Sequence, residues 1–257
     1  MKDVAKQRTI ALIAHNGAGK TTLAEAFLFY NKVTSRLGSV MEGSSVLDSE
    51  PEEIKRTSSI NSAFHSFPWK KHQVTFVDTP GDENFLNDTK TVLNGVSAAI
   101  MVIDAVDGVK VSTEKTWDFS NVYKLPRMIV INKMDRERAD FYGTLTDINE
   151  SLTGPRAVPV FLPIGAEANF KGLVNLLTGK AYLYEDGGKF TETDAPADMA
   201  DLIAEWKDKL VEAVAEADDA LVEKYLEGRK SPLKKFLKAT NRKFWPAKSL
   251  RWCPPPG

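Results

Sequence analysis

Residues Ala14-His15-Asn16-Gly17-Ala18-Gly19-Lys20-Thr21-Thr22 place two glycines, a lysine and two hydroxyls directly after a continuous apolar run, Thr9 to Ala14 (TIALIA). The pattern is close to Gly, four residues, Gly-Lys-Ser/Thr, with Ala14 where the first glycine would stand. Gly17 and Gly19 let the backbone curl so that successive N–H groups point inward. Those amides, with the positive end of a helix starting at Lys20, suit phosphate oxygens. Lys20 is placed to reach β- and γ-phosphates, and Thr21 to hold Mg²⁺ through its hydroxyl. The competing reading is a glycine-rich turn with a coincidental Lys-Thr. A strand before and a helix after argue against it.

Two further constellations follow in order. Asp78-Thr79-Pro80-Gly81 closes a second apolar run, Val74 to Asp78. A carboxylate there can bind Mg²⁺ through water, and the adjacent glycine lets a backbone N–H meet a γ-phosphate. Asn132-Lys133-Met134-Asp135 ends a later run, Met128 to Asn132. The Asp135 carboxylate can accept both the ring N–H and the exocyclic amine of guanine, a donor pair that adenine lacks. Alone, either motif is a common loop. Three in order, each at the carboxyl end of a strand, mark the edge where open α/β sheets bind ligands.

The elements that must position them alternate. Thr9–Ala14, Val74–Asp78, Ala98–Asp104 and Met128–Asn132 read as strands buried on both faces. Helical patterns run from Lys20 to about Phe29, near Asn84–Asn94 and over Thr113–Tyr123. This predicts βαβ units and a mostly parallel, doubly wound sheet with helices on both faces. Ser62–Trp69 and Gln73–Asp78 read as a hairpin turning at Lys70 to His72. Phe141, Leu145, Ile148 and Leu152 give one more amphipathic helix. After Pro155, Val158–Ile164 and Ala181–Glu185 read as strands, and Asp186-Gly187-Gly188 as a turn. Met199, Leu202, Ile203, Trp206, Leu210, Val211 and Val214 form a helical stripe, read as core packing.

Composition bounds the function. With 42% hydrophobic and 27% charged residues in 257, the bulk of the chain carries a real core and is not disordered. No apolar run approaches membrane-spanning length. Residues 1–7 lack the apolar stretch of a signal peptide, so export is not expected. The one cysteine, Cys253, excludes an internal disulfide and fits a reducing cytoplasm.

At the three motifs the sequence resembles the translational GTPases, most closely the elongation factor G family, from about Thr9 to about Gly228. Asp48–Ile60 (DSEPEEIKRTSSI) resembles the family's first switch segment. Leu162–Leu177 (LPIGAEANFKGLVNLL) resembles the start of its inserted subdomain. The resemblance implies a P-loop GTPase core over 1–156 and a small inserted α+β subdomain over 157–228. It implies GTP/GDP and Mg²⁺ as ligands, and ribosomal RNA and proteins as partners. A cytoplasmic monomer is expected, with neither DNA nor a membrane as partner. The implied nucleotide contacts are Ala14 to Thr22, Asp78 to Gly81 and Asn132 to Asp135. The implied metal ligands are Thr21, Ser59 and Asp78. Lys20 and position 82 are the implied catalytic positions.

The sequence departs from the family pattern in four places. Asp82 stands where the family's His positions the attacking water, and an anion beside a γ-phosphate is electrostatically disfavoured. His15 lies inside the phosphate loop, and His65 and His72 are expected at the surface, so none is an obvious substitute. Asn16-Gly17 replaces the family's Val-Asp. Ser59 replaces the first-switch Thr, a mild change because Ser can still ligate. The family's Ser-Ala loop has no counterpart near residue 255.

That last departure coincides with a charge break. Residues 229–257 hold nine Lys or Arg and no acid, leaving a net of −10 on the rest. A basic, aromatic tail suits RNA, but a frameshift origin is preferred. Read two bases later, codons compatible with Phe244 to Leu250 can encode Leu-Ala-Gly-Lys-Ile-Val, which resembles the strand preceding the family's Ser-Ala loop. The tail is therefore expected to be poorly packed and not to supply that strand. The functional readings that remain are a GTP-hydrolysing elongation factor G relative and a GTP-binding switch that hydrolyses poorly because of Asp82. A P-loop ATPase or kinase is disfavoured by Asn132 to Asp135.

Overall fold

The structure, a computed structural model, describes residues 6–185 and 189–216. The chain divides into two compact units, one of residues 6–133 with 150–153 and one of 134–149 with the described residues from 154 onward.

In the first unit, β1 (Gln7–Ile13), β2 (Ala63–Trp69), β3 (His72–Asp78), β4 (Ala98–Asp104) and β5 (Arg127–Asn132) form one sheet in the order β2-β3-β1-β4-β5. Every pairing is parallel except β2 with β3, whose register joins Trp69 to His72 across a two-residue turn. The predicted hairpin and the predicted mostly parallel α/β sheet are both present. Helices α1 (Lys20–Tyr30), α2 (Pro51–Arg56), α3 (Leu86–Leu93) and α4 (Val111–Val122) connect the strands. Side chains alternate across a strand. Leu12, Val74, Phe76 and Val102 point to one face and pack with Ala24 and Leu28 of α1. Ala11, Ile13, Val77, Met101 and Ile103 point the other way and are equally buried. On that face α3 touches β1 and α4 touches β4. Two covered faces are what the unbroken apolar runs require.

The second unit carries α5 (Phe141–Ser151) up to residue 149 and an antiparallel sheet in the order β6 (Phe161–Ile164), β7 (Gly172–Asn175), β8 (Lys180–Glu185), β9 (Lys189–Asp194), followed by α6 (Ala200–Glu216). The predicted stripe packs as core. Leu162, Leu176 and Leu210 are buried with Phe141, Met199, Leu202, Ile203, Trp206 and Val211 around them. Strands β7 and β9 were not apparent from the sequence: β7 is four residues long, and all six residues of β9 are exposed. The 186–188 turn, the side chain of Val214 and the basic 229–257 tail lie outside the described residues.

Candidate functional site

β1 runs directly into the 14–19 loop. Ala14 and Ala18 are fully buried and anchor it, while Asn16 and Gly17 stay exposed. Gly17 (φ 81°) and Gly19 (φ 96°) occupy the left-handed region that a side chain disfavours. At Gly19 a Cβ would also strike the Asn132 carboxamide. That carboxamide, at the end of β5, donates to the Ala18 carbonyl at 2.9 Å. The fifth strand thereby fixes the loop.

α1 opens on Gly19 with no side-chain cap and no acid in its first turn. Its first amides and the positive end of its dipole are left for an external anion. Thr22 is exposed on that turn. Lys20 is buried, and its Nζ donates to the His15 carbonyl at 3.1 Å, folding the ammonium back over the loop. Burial pulls the Lys20 pKa down, against the pull of Asp78 and Asp48.

A cluster of hydroxyls and carboxylates sits beside Lys20. Thr21 Oγ1 donates to Asp78 Oδ2 at 2.5 Å and lies 3.2 Å from Ser59 Oγ. Ser59 Oγ donates to Asp48 Oδ1 at 2.7 Å. Thr21, Ser59 and Asp78, nominated separately from the sequence, are therefore neighbours. Asp48 is an addition that the sequence reading did not single out. Burial pushes Asp78 up to about 7, opposed by the Lys20 charge and the Thr21 hydrogen bond. Burial raises Asp48 as well, opposed by its bond from Ser59. Asp78 Oδ1 and Asp48 Oδ2 are buried without a hydrogen-bond partner. Two buried carboxylates share one ammonium and leave two orphaned oxygens. That donor set fits a hard dication, whose charge would offset the desolvation of both carboxylates.

α2 holds the Ser59 segment in place. Pro51 starts α2, and Glu50 and Glu53 form a capping box. Buried Glu53 also accepts from the Ile60 and Asn61 amides at 2.9 and 3.0 Å, tying down the turn that carries Ser58 and Ser59. Glu25, fully buried on α1, accepts from Ser45 Oγ and the Val46 amide, both at 2.6 Å. Neither glutamate was singled out in the sequence. Acids at polar-looking helix positions carry no signal of burial.

After β3, Thr79 Oγ1 donates to the Leu12 carbonyl at 2.7 Å, and the Pro80 carbonyl accepts from Thr89 at 2.9 Å. Gly81 is pressed against the loop. A Cβ there would lie 2.7 Å from the His15 carbonyl carbon and 2.8 Å from the Asn16 nitrogen, and would strike Lys20 Nζ. Asp82 turns to its own segment, where Oδ1 accepts from both the backbone and the side chain of Asn84, at 2.9 and 2.8 Å. It is the N-cap of a short 3₁₀ turn over Glu83–Phe85.

The His15 ring faces α4. Nδ1 lies 3.1 Å from Thr113 Oγ1, and Nε2 lies 3.8 Å from Asp107 Oδ2. Burial, followed by the Lys110 and Lys20 charges, lowers its pKa to about 4 against the pull of Asp107 and Asp104. His65 and His72 are half-buried on β2 and β3. Lys133, with φ 61°, pairs with Asp104 Oδ2 at 2.7 Å. Burial raises Asp104, but the Lys133 bond and charge and the Val106 and Asp107 amides outweigh it and leave its pKa lowered. Met134 is buried and its carbonyl accepts from the Glu167 amide at 2.8 Å. The Asp135 carboxylate is exposed, two residues along the chain from Lys133.

A family model described as the elongation factor Tu GTP binding domain matches residues 5–245. Among solved structures, a crystal structure of a protein from Thermus thermophilus matches with a TM-score of 0.87 and 33% identity over 95% of this chain. The match spans 36% of that protein's own chain.

Proposed function

The chain belongs to the family of the elongation factor Tu GTP-binding domain, and on that footing we propose that it is the GTP-binding domain of an elongation factor G-like translational GTPase. The reaction is hydrolysis of GTP to GDP and phosphate, coupled to a step on the ribosome. The carrying observation is the convergence of Thr21, Ser59, Asp78 and Asp48 beside Lys20.

In this reading the first-turn amides of α1 and the loop amides bind the β- and γ-phosphates, and Lys20 swings from the His15 carbonyl to meet them. Thr21, Ser59 and Asp78 hold Mg²⁺, with Asp48 completing the charge balance. When bound, the ion neutralises charge on the phosphate oxygens. Asn132 fixes the loop and Asp135 reads guanine. Met134 and Lys133 keep that motif in place, Lys133 through Asp104.

The elongation factor G assignment is supported by the 162–177 segment, which supplies β6 and β7 of the second unit. The core domain is assigned to 1–156 and the inserted subdomain to 157–228. Ribosomal RNA and proteins are the proposed partners, and the proposed setting is a cytoplasmic monomer. Among the described residues no helix is long and apolar enough to cross a membrane.

GTP turnover by the chain, measured with and without ribosomes, tests the assignment. Ribosome-stimulated release of phosphate is expected. Turnover of ATP at an equal rate overturns it.

A further inference from the structure

Under the proposed function, the group that normally orients the attacking water is missing, because Asp82 is spent on capping Asn84. We infer that Asn16, held by Ser58, takes that place. The inference rests on the GTPase reading above.

Three observations carry it. Asn16 is exposed at the tip of the loop, and its backbone packs on Gly81, which also touches Lys20. Gly81 and Lys20 are the two groups assigned to the terminal phosphate. Second, the Asn16 carboxamide is positioned from outside the loop, since its Oδ1 accepts from Ser58 Oγ at 3.1 Å. Third, Ser58 is itself held. Its amide donates to the Glu53 carbonyl at 3.2 Å, and buried Glu53 binds the two amides after Ser59. The pair thus bridges the phosphate loop and the Asp48–Ile60 segment at the edge where the terminal phosphate is expected.

A neutral carboxamide suits the task. It can orient a water without taking its proton and places no charge against a polyanion. Asn16 Oδ1 keeps one lone pair for the water while Ser58 occupies the other, and Nδ2 is a donor for a γ-phosphate oxygen. The water oxygen bonds to the γ-phosphorus. The bond from that phosphorus to the β–γ bridging oxygen breaks, and its electron pair leaves with GDP. One of the water's protons passes to a γ-phosphate oxygen and the other stays on the attacking oxygen, so the products are GDP and dihydrogen phosphate, which gives up a proton to solvent at neutral pH. Asn16 is unchanged throughout.

The test compares the full chain with Asn16→Ala, Ser58→Ala and Ser58→Thr. Affinity for a non-hydrolysable imido analogue of GTP is measured by calorimetry, and the cleavage rate in single turnover. Asn16→Ala is expected to slow cleavage of bound GTP by about tenfold or more, over and above any loss of analogue affinity from the missing Nδ2 contact. Ser58→Ala is expected to slow cleavage to a lesser degree, and Ser58→Thr, which keeps the hydroxyl, to restore it. Cleavage by Asn16→Ala within about twofold of the parent overturns the inference. So does a parent chain that binds the analogue but cleaves no GTP, although nucleotide binding would then survive. A parent that binds no guanine nucleotide overturns the GTPase reading and this inference together.

Discussion

Thr21 Oγ1 donates to Asp78 Oδ2 at 2.5 Å, joining the first turn of α1 to the end of β3 across 57 residues of chain. The contact exists because β1 and β3 are parallel neighbours, with Leu12 opposite Asp78, so both strands deliver their carboxyl ends to one edge. It satisfies one carboxylate oxygen and leaves Asp78 Oδ1 buried and unpaired.

A pH dependence follows from this. The Asp78 pKa rises from 3.8 unfolded to about 7 folded. Between those values the folded state holds the extra proton, so Asp78 makes stability fall as pH rises through that window. Mg²⁺ must displace that proton. Thermal shifts caused by Mg²⁺ should therefore be larger at pH 8 than at pH 6, and Asp78→Asn should remove the difference. An Mg²⁺ shift independent of pH would contradict this assignment.

His15 has the opposite sign. Its pKa falls from 6.5 to about 4, so it stays neutral in the fold and its contribution to stability is lost as pH drops from 6.5 towards 4. Proton NMR should show a His15 ring, assigned by its loss in His15→Asn, that does not titrate above pH 5. Titration of the His15 ring near pH 6.5 would refute the buried environment.

Gly19→Ala places a side chain at φ 96° and into the Asn132 carboxamide. A cost of about 1–3 kcal/mol is expected from the backbone alone. Urea unfolding measures it, and a cost under about 0.5 kcal/mol would show that the loop relaxes freely. Nucleotide affinity should fall in the same variant.

Asp82→Ala removes the cap over Asn84 and should cost about 1 kcal/mol, whereas Asp82→Asn keeps the acceptor and should be nearly neutral. Asp82→His should raise turnover on ribosomes by supplying a water-positioning group. No increase would mean that position 82 does not limit hydrolysis.

The strands β1 and β4 were legible because burial on both faces leaves unbroken apolar runs, whereas β5 has the apolar run but not the expected burial, with Met128 60% exposed at the end of the strand order. Thr21 and Asp78 were nominated as metal ligands from motif position and Ser59 from the family resemblance; the parallel pairing of β1 with β3 brings Thr21 to Asp78, and Glu53 of α2 ties down the turn that carries Ser59. Asp48, Glu25 and Glu53 were not legible. Each is an acid in a polar stretch, and its burial is set by partners such as Ser59, Ser45 and Ile60, which are distant or lie around a turn. The capping role of Asp82 had a readable signal, an Asp just before the helical pattern at Asn84. The family's His at the same position masked it. β9 was missed because all its residues are exposed and no alternation survives.

A guanine nucleotide is expected to bind at the carboxyl edge of the five-stranded sheet. Calorimetric titration of the chain with GDP and with ADP, in Mg²⁺, tests it most directly. GDP should bind at least about tenfold more tightly, or roughly 1.4 kcal/mol. Asp135→Ala should erase the preference, and Lys20→Ala should abolish binding. Equal affinity for ADP, or GDP binding unaffected by Lys20→Ala, would contradict the account.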